Sequence, residues 1–480
     1  MSQEEYTRGN GMAKILVVDG GGRGNAIAHS FKRSNNVEEV YVSPGNAGVY
    51  EYGGKELPLE EVGYENRISE LIDKVGDWGI DLVVPGPEGW ISAGIVDEFR
   101  ERTDVPIVGP TQDAAFLETS KCDAKDYLSS IGVPVPKFEN FDDPEEAKEY
   151  AKQFYDENPD GDLVPKADGI AAGKGAFVCG SLEETLNAID EISSKEFNEE
   201  YEGAGSRIEI EERLYGEEIS FFAITDGRDV EFFGTAKDYK RRFSDPDDSF
   251  IDEYFFGINP NTGGMGAYSP QEVGLELKDR IMEEIAIPTV ENLEEEYKGI
   301  LHFVLMTREG TRDPHVLEIN VRDGDPEAQT RLPRLESDIY ELYQAVVNEK
   351  LREVEIEWSD ECCVGVCAVS GRPWKDGKPA QGYAGYPGDY FSKQPIFLRG
   401  SERKRIGKEG IGEYVDGVVY HNGTDLHQGY LRSRGGRVLT FTNTGSSLEK
   451  ARERTYSDLE GNEDGGVFFS FMDYRKDIGQ

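Results

Sequence analysis

Basic residues are scarce in this chain of 480 residues, which has 52 Lys and Arg against 95 Asp and Glu. The formal net charge of −43 is spread along the whole chain, unlike that of a disordered acidic tail. A uniformly acidic surface repels nucleic acids and anionic membranes, so we expect neither as a partner. Because such a surface stays hydrated in concentrated salt, we interpret it as adaptation to a salty cytoplasm; a merely acidic protein is the alternative.

Long apolar runs and a cysteine framework are also missing. No window approaches a membrane span, and residues 1–13 lack the apolar centre of a signal peptide, so we expect a cytoplasmic protein. The five cysteines are an odd number, and Cys362, Cys363 and Cys367 share one apolar run without nearby histidines. We therefore expect buried, reduced thiols in this run and no metal site.

The length and the pattern of elements indicate several domains, and two to four is the natural expectation. From residue 14, apolar strands alternate with helices over about a hundred residues, which predicts a parallel α/β domain. Ligands of such sheets bind where the strands end, here at residues 20–25, 44–48 and 85–88. From about residue 360 short strands and one helix predict a small α+β domain.

The first glycine-rich turn, "DGGGRGNA", matches a dinucleotide-binding turn at Gly20 and Gly22, but Asn25 stands at the third glycine position. Such a partial match is weak. A plain strand-to-helix turn that holds a phosphate at the helix N-terminus explains the same residues, and we favour that interpretation over a bound dinucleotide.

The second glycine-rich stretch, "PKADGIAAGKGAFV", does not have the spacing of a P-loop. Only three residues separate Gly169 from Gly173, and Gly175 follows Lys174. A mobile flap with exposed amides could close over a triphosphate, with Lys166 and Lys174 neutralising its charge. An ordinary turn with surface lysines fits this stretch equally well.

The segments that follow favour a nucleotide-binding site over an ordinary turn. In "RIEIEERLYGEE" a strand runs out through Glu211 to Leu214, where backbone groups could meet an adenine, and Glu218 could accept from ribose hydroxyls. In "HVLEINVRDGDPE" the period of two places Glu318, Asn320 and Arg322 on one face.

Glu318 and Asn320 offer hard oxygen ligands suited to a Mg²⁺ ion that bridges phosphates. Arg322 could stabilise a phosphoryl group in transfer or hold a carboxylate. The alternative is that Glu318 and Arg322 form an ordinary solvated ion pair on the strand. The apolar opposite face of the strand favours a functional site over this interpretation.

These motifs, in this order, resemble the phosphoribosylamine–glycine ligases, a family of ATP-grasp enzymes. The resemblance rests on "PGNAG", "GPE", "KADGIAAGKG", "EERLYGEE", "NTGGMGAYSP", "EINVRDGDPE", "GYPGDY", "HNGT", "GGRV" and "YRKDIG", and it spans residue 14 to the C-terminus. It implies a parallel α/β domain at 13–118, an ATP-grasp domain at 119–345 with a mobile lid at about 125–195, and an α+β domain at 346–480.

The resemblance also implies ligation of glycine to 5-phosphoribosylamine through glycyl phosphate, with ATP as a substrate and Mg²⁺ or Mn²⁺ bound. The implied partners are small molecules, and the protein would be a monomer or a small homo-oligomer. The implied ATP contacts are Lys121, Lys166, Gly173, Lys174, Gly175, Glu211, Leu214 and Glu218; the metal ligands are Glu318 and Asn320; the catalytic residues are Arg322, Lys240 and Asp238; the amine-substrate contacts are Gly22, Arg23, Asn46 and Glu88.

Three departures from the family pattern stand out. Gly24 and Asn25 replace a usual Glu-His pair, Asp323 replaces a usual Phe, and the acidic link around residues 242–258 is longer than usual. An ATP-grasp ligase with a different amine acceptor therefore remains the main alternative. A non-catalytic nucleotide sensor or a dehydrogenase fits less well, because Glu318 and Asn320 are both retained and a dehydrogenase would not need the chain beyond residue 120.

Overall fold

The computed structural model of the protein describes residues 12–480 except 57–58, 60–62, 172–173, 246–258, 373, 376–377, 380–383, 400–403, 409 and 462–465. Gly173 of the flap and most of the long acidic link therefore lie outside the described residues. Within the described ranges, no helix has the length and apolar character needed to cross a membrane.

The N-terminal region is a four-stranded sheet in the order β3-β2-β1-β4, and all of its pairings are parallel. Its strands are β1 Ala13–Asp19, β2 Val37–Pro44, β3 Lys55–Glu56 and β4 Leu82–Pro85. Its helices are α1 Gly22–Lys32, α2 Tyr64–Trp78, α3 Glu88–Ser92 and α4 Ile95–Arg102. β4 is buried along its whole length, as expected for a strand covered on both faces. The predicted parallel α/β domain is confirmed.

A three-stranded antiparallel sheet with its own apolar core follows, in the order β6-β8-β7. Two short elements lead into it, β5 Gly109–Pro110 and α5 Phe116–Thr119. Its strands are β6 Phe138–Phe141, β7 Leu163–Ala167 and β8 Ile208–Glu212, and its helices are α6 Lys121–Ser130, α7 Pro144–Glu157, α8 Leu182–Ser193 and α9 Lys195–Glu200. Ser181 Oγ accepts from the Glu184 backbone amide (3.3 Å) and caps the N-terminus of α8.

The central sheet crosses the predicted boundary between the ATP-grasp and C-terminal regions. Its order is β13-β12-β9-β10-β11-β14-β21-β18. These strands are β9 Gly216–Thr225, β10 Val230–Asp238, β11 Gly266–Ser269, β12 Tyr297–Arg308, β13 Pro314–Asn320, β14 Cys362–Ser370, β18 Val418–His421 and β21 Arg437–Gly445. β11 and β14 pair antiparallel, so the C-terminal strands extend the ATP-grasp sheet without a break.

The remaining described elements are short. The strands are β15 Trp374–Lys375, β16 Lys378–Pro379, β17 Ile396–Leu398, β19 Thr424–His427, β20 Tyr430–Ser433, β22 Val467–Phe469 and β23 Met472–Asp473. The α-helices are α10 Leu275–Ile281, α11 Ile287–Glu291, α12 Glu327–Arg331, α13 Ile339–Val347 and α14 Leu448–Glu460. A π-helical turn, Met282–Ala286, joins α10 to α11, and 3₁₀ turns occur at Ala47–Tyr50, Leu332–Arg334, Leu351–Glu353 and Gly412–Tyr414.

One apolar core ties the N-terminal sheet to the central sheet. It contains Ile15 and Phe31 from the first region together with Phe222 of β9 and Tyr343 of α13. The rings of Phe31 and Tyr343 lie 5.7 Å apart, and burial of such rings is the main attraction between the two layers. This contact holds the carboxyl ends of the N-terminal strands over the central sheet. The five cysteines are free. Cys363 and Cys367 are buried in β14, as predicted, whereas Cys362 at the start of this strand is only partly buried.

Candidate active site

The described residues enclose a cavity of about 700 Å³ between the N-terminal sheet, the three-stranded sheet and the central sheet. The C-terminal region closes one side with Tyr386 and Arg437. Most of the predicted site residues line this cavity: Arg23, Glu88, Lys121, Lys174, Gly175, Asp238, Lys240, Glu318, Asn320 and Arg322. The other described candidates do not line it: Gly22, Asn46, Lys166, Glu211, Leu214 and Glu218.

Glu318 and Asn320 lie together at the end of β13, as the alternating pattern predicts. Burial alone would raise the pKa of Glu318, but Lys240, Lys166 and Lys121 outweigh it and lower this pKa to about 2, so the carboxylate is charged. The Asn320 amide nitrogen donates to His302 Nδ1 (3.4 Å), which leaves the amide oxygen for a cation. Two hard oxygens beside a polar cavity would suit Mg²⁺ or Mn²⁺, whose charge would offset that of a bound phosphate. Among the described residues, no cluster of three or more His, Cys, Asp and Glu forms a metal cage.

Lys240 links Glu318 of β13, here called the metal strand, to Glu218 of β9, which is separated from β13 by β12. Its Nζ lies 3.0 Å from Glu218 Oε1 and 3.5 Å from Glu318 Oε1. Burial disfavours the charged amine, yet the two carboxylates raise the pKa of Lys240 above its usual value. A permanent cation thus stands next to the carboxylate predicted to hold the metal.

Four buried charged residues lie against the inner wall of the cavity. Lys166 Nζ lies 2.6 Å from one oxygen of Glu211, and Lys125 Nζ lies 2.8 Å from the other. Glu209 is fully buried within 3.4 Å of Lys166, and neither of its oxygens has a hydrogen-bond partner in the described structure. The predicted ATP residues Lys166 and Glu211 are thus partners of each other.

Lys125 is a residue that the sequence reasoning missed. It lines the cavity and donates to the Val316 and Leu317 carbonyls (2.9 and 3.1 Å) as well as to Glu211. The sequence does mark Lys125 by spacing: it follows Lys121 by four residues on α6, so the two lysines lie on the same face of the helix. Lys121 Nζ donates to the Gly169 carbonyl (3.0 Å), and burial lowers the pKa of Lys121.

Asp238 and Glu327 form a pair of buried carboxylates on the cavity floor. Burial raises the pKa of Asp238 well above its usual value, and the nearby Glu327 adds to the effect. Burial also raises the pKa of Glu327. Glu327 was not selected from the sequence, although it ends the "DGDPE" turn. Two carboxyl groups with raised pKa values in a cleft are typical of a functional site.

Arg322 joins the metal strand to the N-terminal region. Its guanidinium lies 2.7 Å from Glu118 Oε1 and 3.2 Å from Glu88 Oε2. Burial opposes ionisation of Glu88, but Arg322 and Arg23 lower the pKa of Glu88 to about 2. Burial raises the pKa of Glu118 to about 7. Glu118 also accepts from the Val321 amide (2.8 Å), so it fixes the end of β13; the sequence reasoning did not select it.

The altered "GGRGNA" turn is built into the junction with the C-terminal region. Asn25 Nδ2 donates to Asn46 Oδ1 (3.0 Å), and Asn25 Oδ1 accepts from the His421 amide (3.1 Å). Asn46 Nδ2 in turn donates to the His421 carbonyl (2.6 Å). The side chain of Asn46 is therefore committed to this junction, whereas Arg23 pairs with Asp19 (2.9 Å) and faces the cavity.

The flap lysine is exposed to the cavity. About half of the Lys174 side chain is accessible, and its nearest described carboxylate, that of Glu200, is 3.9 Å away. A substituent at Gly175 would lie 2.9 Å from the Ala171 side chain, so the turn needs a glycine there. Among the described residues Lys174 thus makes only this long ion pair, and its ammonium is accessible to an anionic ligand.

The fold and the site define an ATP-grasp protein. Two antiparallel sheets face each other across a cleft that is lined with lysines and with the Glu318–Asn320 oxygen pair. Residues 119–328 match the family described as phosphoribosylglycinamide synthetase, ATP-grasp (A) domain. Residues 13–118 and 382–480 match its N domain and its C domain. The chain belongs to the phosphoribosylglycinamide synthetase family.

Relatives and solved structures agree with this assignment. The phosphoribosylamine–glycine ligase of Archaeoglobus fulgidus is 44 % identical over 501 residues, which cover 97 % of this chain and 99 % of that protein. The enzyme of the same name from Vibrio parahaemolyticus is 37 % identical over 97 % of both chains. The crystal structure of phosphoribosylamine–glycine ligase from Thermotoga maritima superposes with a TM-score of 0.73 at 29 % identity, over 97 % of this chain and 100 % of that one.

Proposed function

We propose that the protein joins glycine to 5-phosphoribosylamine with ATP, giving glycinamide ribonucleotide, ADP and phosphate in de novo purine biosynthesis. The matches to all three family domains and the near full-length relatives that carry this enzyme name support the proposal. The observation that carries it is the joint placement of Glu318, Lys240 and Arg322 around one cavity with the flap lysine Lys174.

The chemistry has two steps. A glycine carboxylate oxygen attacks the γ-phosphorus of ATP, and the bond to the ADP oxygen breaks, giving glycyl phosphate. The amine of phosphoribosylamine then attacks the glycyl carbonyl, loses a proton, and expels phosphate. Since an unactivated carboxylate is a poor acyl donor, the protein has to neutralise charge, align the reactants and exclude water.

The proposed roles combine the cavity lining with the family resemblance. Lys121 and Lys174 line the cavity and would neutralise the ATP phosphates. By resemblance, Lys166 would assist them, Gly173 and Gly175 would belong to the flap, and Glu211, Leu214 and Glu218 would serve the nucleoside. Lys240, Asp238 and Arg322 would surround the glycine carboxylate and its phosphate. A Mg²⁺ or Mn²⁺ ion held by Glu318 and Asn320 would neutralise charge on the transferring phosphoryl group.

The amine substrate would occupy the N-terminal side of the cavity. Arg23 and Glu88 face this space, and Gly22 begins α1, whose N-terminal amides suit a phosphate. We assign Asn46 an indirect role, because its amide holds the loop against the C-terminal region. We further propose the domain division at 13–118, 119–345 and 346–480, a mobile lid at 125–195, a cytoplasmic location, and a monomer or small homo-oligomer.

The test is ADP release by the purified protein in high KCl with Mg²⁺. Freshly prepared phosphoribosylamine and glycine are supplied together, and each is omitted in turn. We expect turnover that requires both, and its loss in Lys174→Ala. Tight ATP binding without turnover on this pair would contradict the proposal, and a screen of other amines would then follow.

A further inference from the structure

The backbone carbonyl of Asp323 is shared by two arginines that come from different parts of the chain. It accepts from Arg23 Nη1 (3.1 Å) and from Arg322 Nη1 (3.3 Å). Arg23 belongs to α1 of the N-terminal region, whereas Arg322 follows the metal strand. One carbonyl oxygen therefore sets the spacing between the guanidinium groups of the two halves of the cavity.

The Asp323 side chain is anchored in turn. Its Oδ2 accepts from Arg331 Nη2 (2.5 Å), and its Oδ1 accepts from the Gly324 amide (2.8 Å). Arg331 Nη1 donates to the Phe233 carbonyl in β10 (2.9 Å). The side chains of Asp323 and Arg331 are 2 % and 0 % exposed, so this pair connects the turn to the central sheet inside the protein.

Three aromatic rings surround the Arg331 guanidinium. Its central carbon lies 4.4 Å from the Phe222 ring centre, 4.3 Å from that of Phe233 and 5.8 Å from that of Trp358. Such rings attract a cation, and they fix the plane of the guanidinium. Arg331 Nε has no hydrogen-bond partner among the described residues. The rings therefore fix the orientation of the guanidinium, although one of its three nitrogens makes no hydrogen bond among the described residues.

A buried ion pair is a weak source of stability, because removing two charges from water offsets their attraction. Well-packed apolar residues at these positions would stabilise the fold about as well. What the ion pair supplies in addition is a fixed orientation of the turn that carries the shared carbonyl.

We propose that Asp323 and Arg331 are a positioning pair, which holds the Asp323 carbonyl as the common acceptor for Arg23 and Arg322. The pair thereby aligns the amine-substrate side of the cavity with the side where glycyl phosphate forms. The inference rests on the proposed ligase reaction, since it assigns one guanidinium to each reactant. It also gives a role to Asp323, where the family usually has Phe.

Loss of the pair should misplace both arginines without removing them. Arg23 keeps its contact with Asp19, and Arg322 keeps Glu118, so both remain charged and inside the cavity. The buried lysines Lys166 and Lys125 are held by Glu211 and do not depend on the turn. We therefore expect a higher KM for phosphoribosylamine and a lower kcat, with an unchanged dissociation constant for ATP.

The experiment compares Arg331→Met and Asp323→Asn with the unaltered enzyme in high KCl, well below their melting temperatures. KM for phosphoribosylamine should rise about tenfold and kcat should fall about tenfold, since small misplacements of aligned groups are costly. The dissociation constant of ATP should stay within about twofold. Arg334→Met is the matched control, because Arg334 is buried nearby but donates to Ser269 and to the Glu361 and Ser359 carbonyls.

The double variant Asp323→Leu/Arg331→Met separates positioning from stability. It leaves no unpaired buried charge, so it should regain the melting temperature that the single variants lose, while the amine KM stays raised. If the double variant recovers both its melting temperature and its KM for the amine, or if the single variants have unchanged kinetics, the inference is overturned. The proposed reaction would not be affected by that result. An unaltered enzyme that neither turns over nor binds glycinamide ribonucleotide in calorimetry would overturn the proposed reaction itself, and the inference with it.

Discussion

The ammonium of Lys166 lies 2.6 Å from Glu211 Oε1, and Lys125 occupies the other oxygen of the same carboxylate. All three side chains are at least 93 % buried. Burial alone would raise the pKa of Glu211, but the two lysines lower it, so the carboxylate remains charged. Glu211 thus keeps two cations next to the cavity before any nucleotide binds.

Replacing Glu211 with Leu should destabilise the protein by about 3–5 kcal/mol, because it leaves two buried lysines without their shared partner. Equilibrium denaturation in high KCl measures this loss. Glu212→Gln is the matched control, since Glu212 is the next residue and pairs with Arg308 in a partly exposed contact. We expect that control to cost about 0–1 kcal/mol. Equal losses in the two variants would contradict a special role for Glu211.

The unusual glycine of the first turn gives a second prediction. A methyl group at Gly24 would lie 2.4 Å from Asp19 Cβ, so Gly24→Ala must displace the residue that holds Arg23. We expect a loss of about 1–3 kcal/mol and a raised KM for phosphoribosylamine. Gly76→Ala in α2 is the control: nothing lies within 4 Å of the added carbon, and a helical alanine should stabilise the protein by about 0.5–1 kcal/mol.

A third prediction concerns the negative charge of Glu318 on β13. Glu318→Gln should weaken binding of Mn²⁺–ATP and lower turnover on the order of 100-fold, because the ion loses its charged ligand. Calorimetric titration with Mn²⁺–ATP tests binding independently of activity. Glu309→Gln, at an exposed position beyond β12, should leave both quantities unchanged. Unaltered Mn²⁺–ATP affinity in Glu318→Gln would rule out Glu318 as a ligand.

The partly buried His29 should make the stability of the protein depend on pH. Burial, with a smaller contribution from Arg33, lowers the pKa of His29 from 6.5 to about 4. Between these values the unfolded chain binds a proton that the folded protein does not, so His29 makes stability rise with pH over this window. Between pH 5 and pH 7 the difference should be about 2 kcal/mol.

Denaturation of the unaltered protein and of His29→Gln at both pH values measures this contribution. The variant should lose less stability than the unaltered protein when the pH falls from 7 to 5. If the two proteins show the same pH dependence, His29 is not the group responsible.

Local patterns predicted those parts of the site that a single strand or turn forms. The period of two in β13 predicts that Glu318 and Asn320 lie together, because alternate residues of a strand share a face. Arg322 lies two residues beyond the strand and lines the same cavity. The turn after β1 was likewise visible as a strand, a glycine run and a helix. The predicted multidomain fold, with its parallel N-terminal sheet, is confirmed.

Contacts between distant segments could not be predicted in this way. The pairing of β11 with β14 joins residues about a hundred positions apart, and no local pattern specifies such a partner. The role of Glu118 shows only in its contact with Arg322, and the spacing that marks Lys125 does not reveal its contact with Glu211. Asp323 was visible as a departure from the family pattern, but its buried partner Arg331 follows from the packing of α12 against Phe222 and Phe233.

In the proposed reaction ATP activates the glycine carboxylate as an acyl phosphate, so one carboxylate oxygen must leave with the phosphate. The most direct measurement supplies glycine labelled with heavy oxygen in its carboxylate, together with ATP, Mg²⁺ and phosphoribosylamine, and follows the label by mass spectrometry of the released phosphate. We expect one labelled oxygen in each phosphate released, because the bond from the glycyl carbon to that oxygen breaks in the second step. Phosphate that carries no label would contradict it.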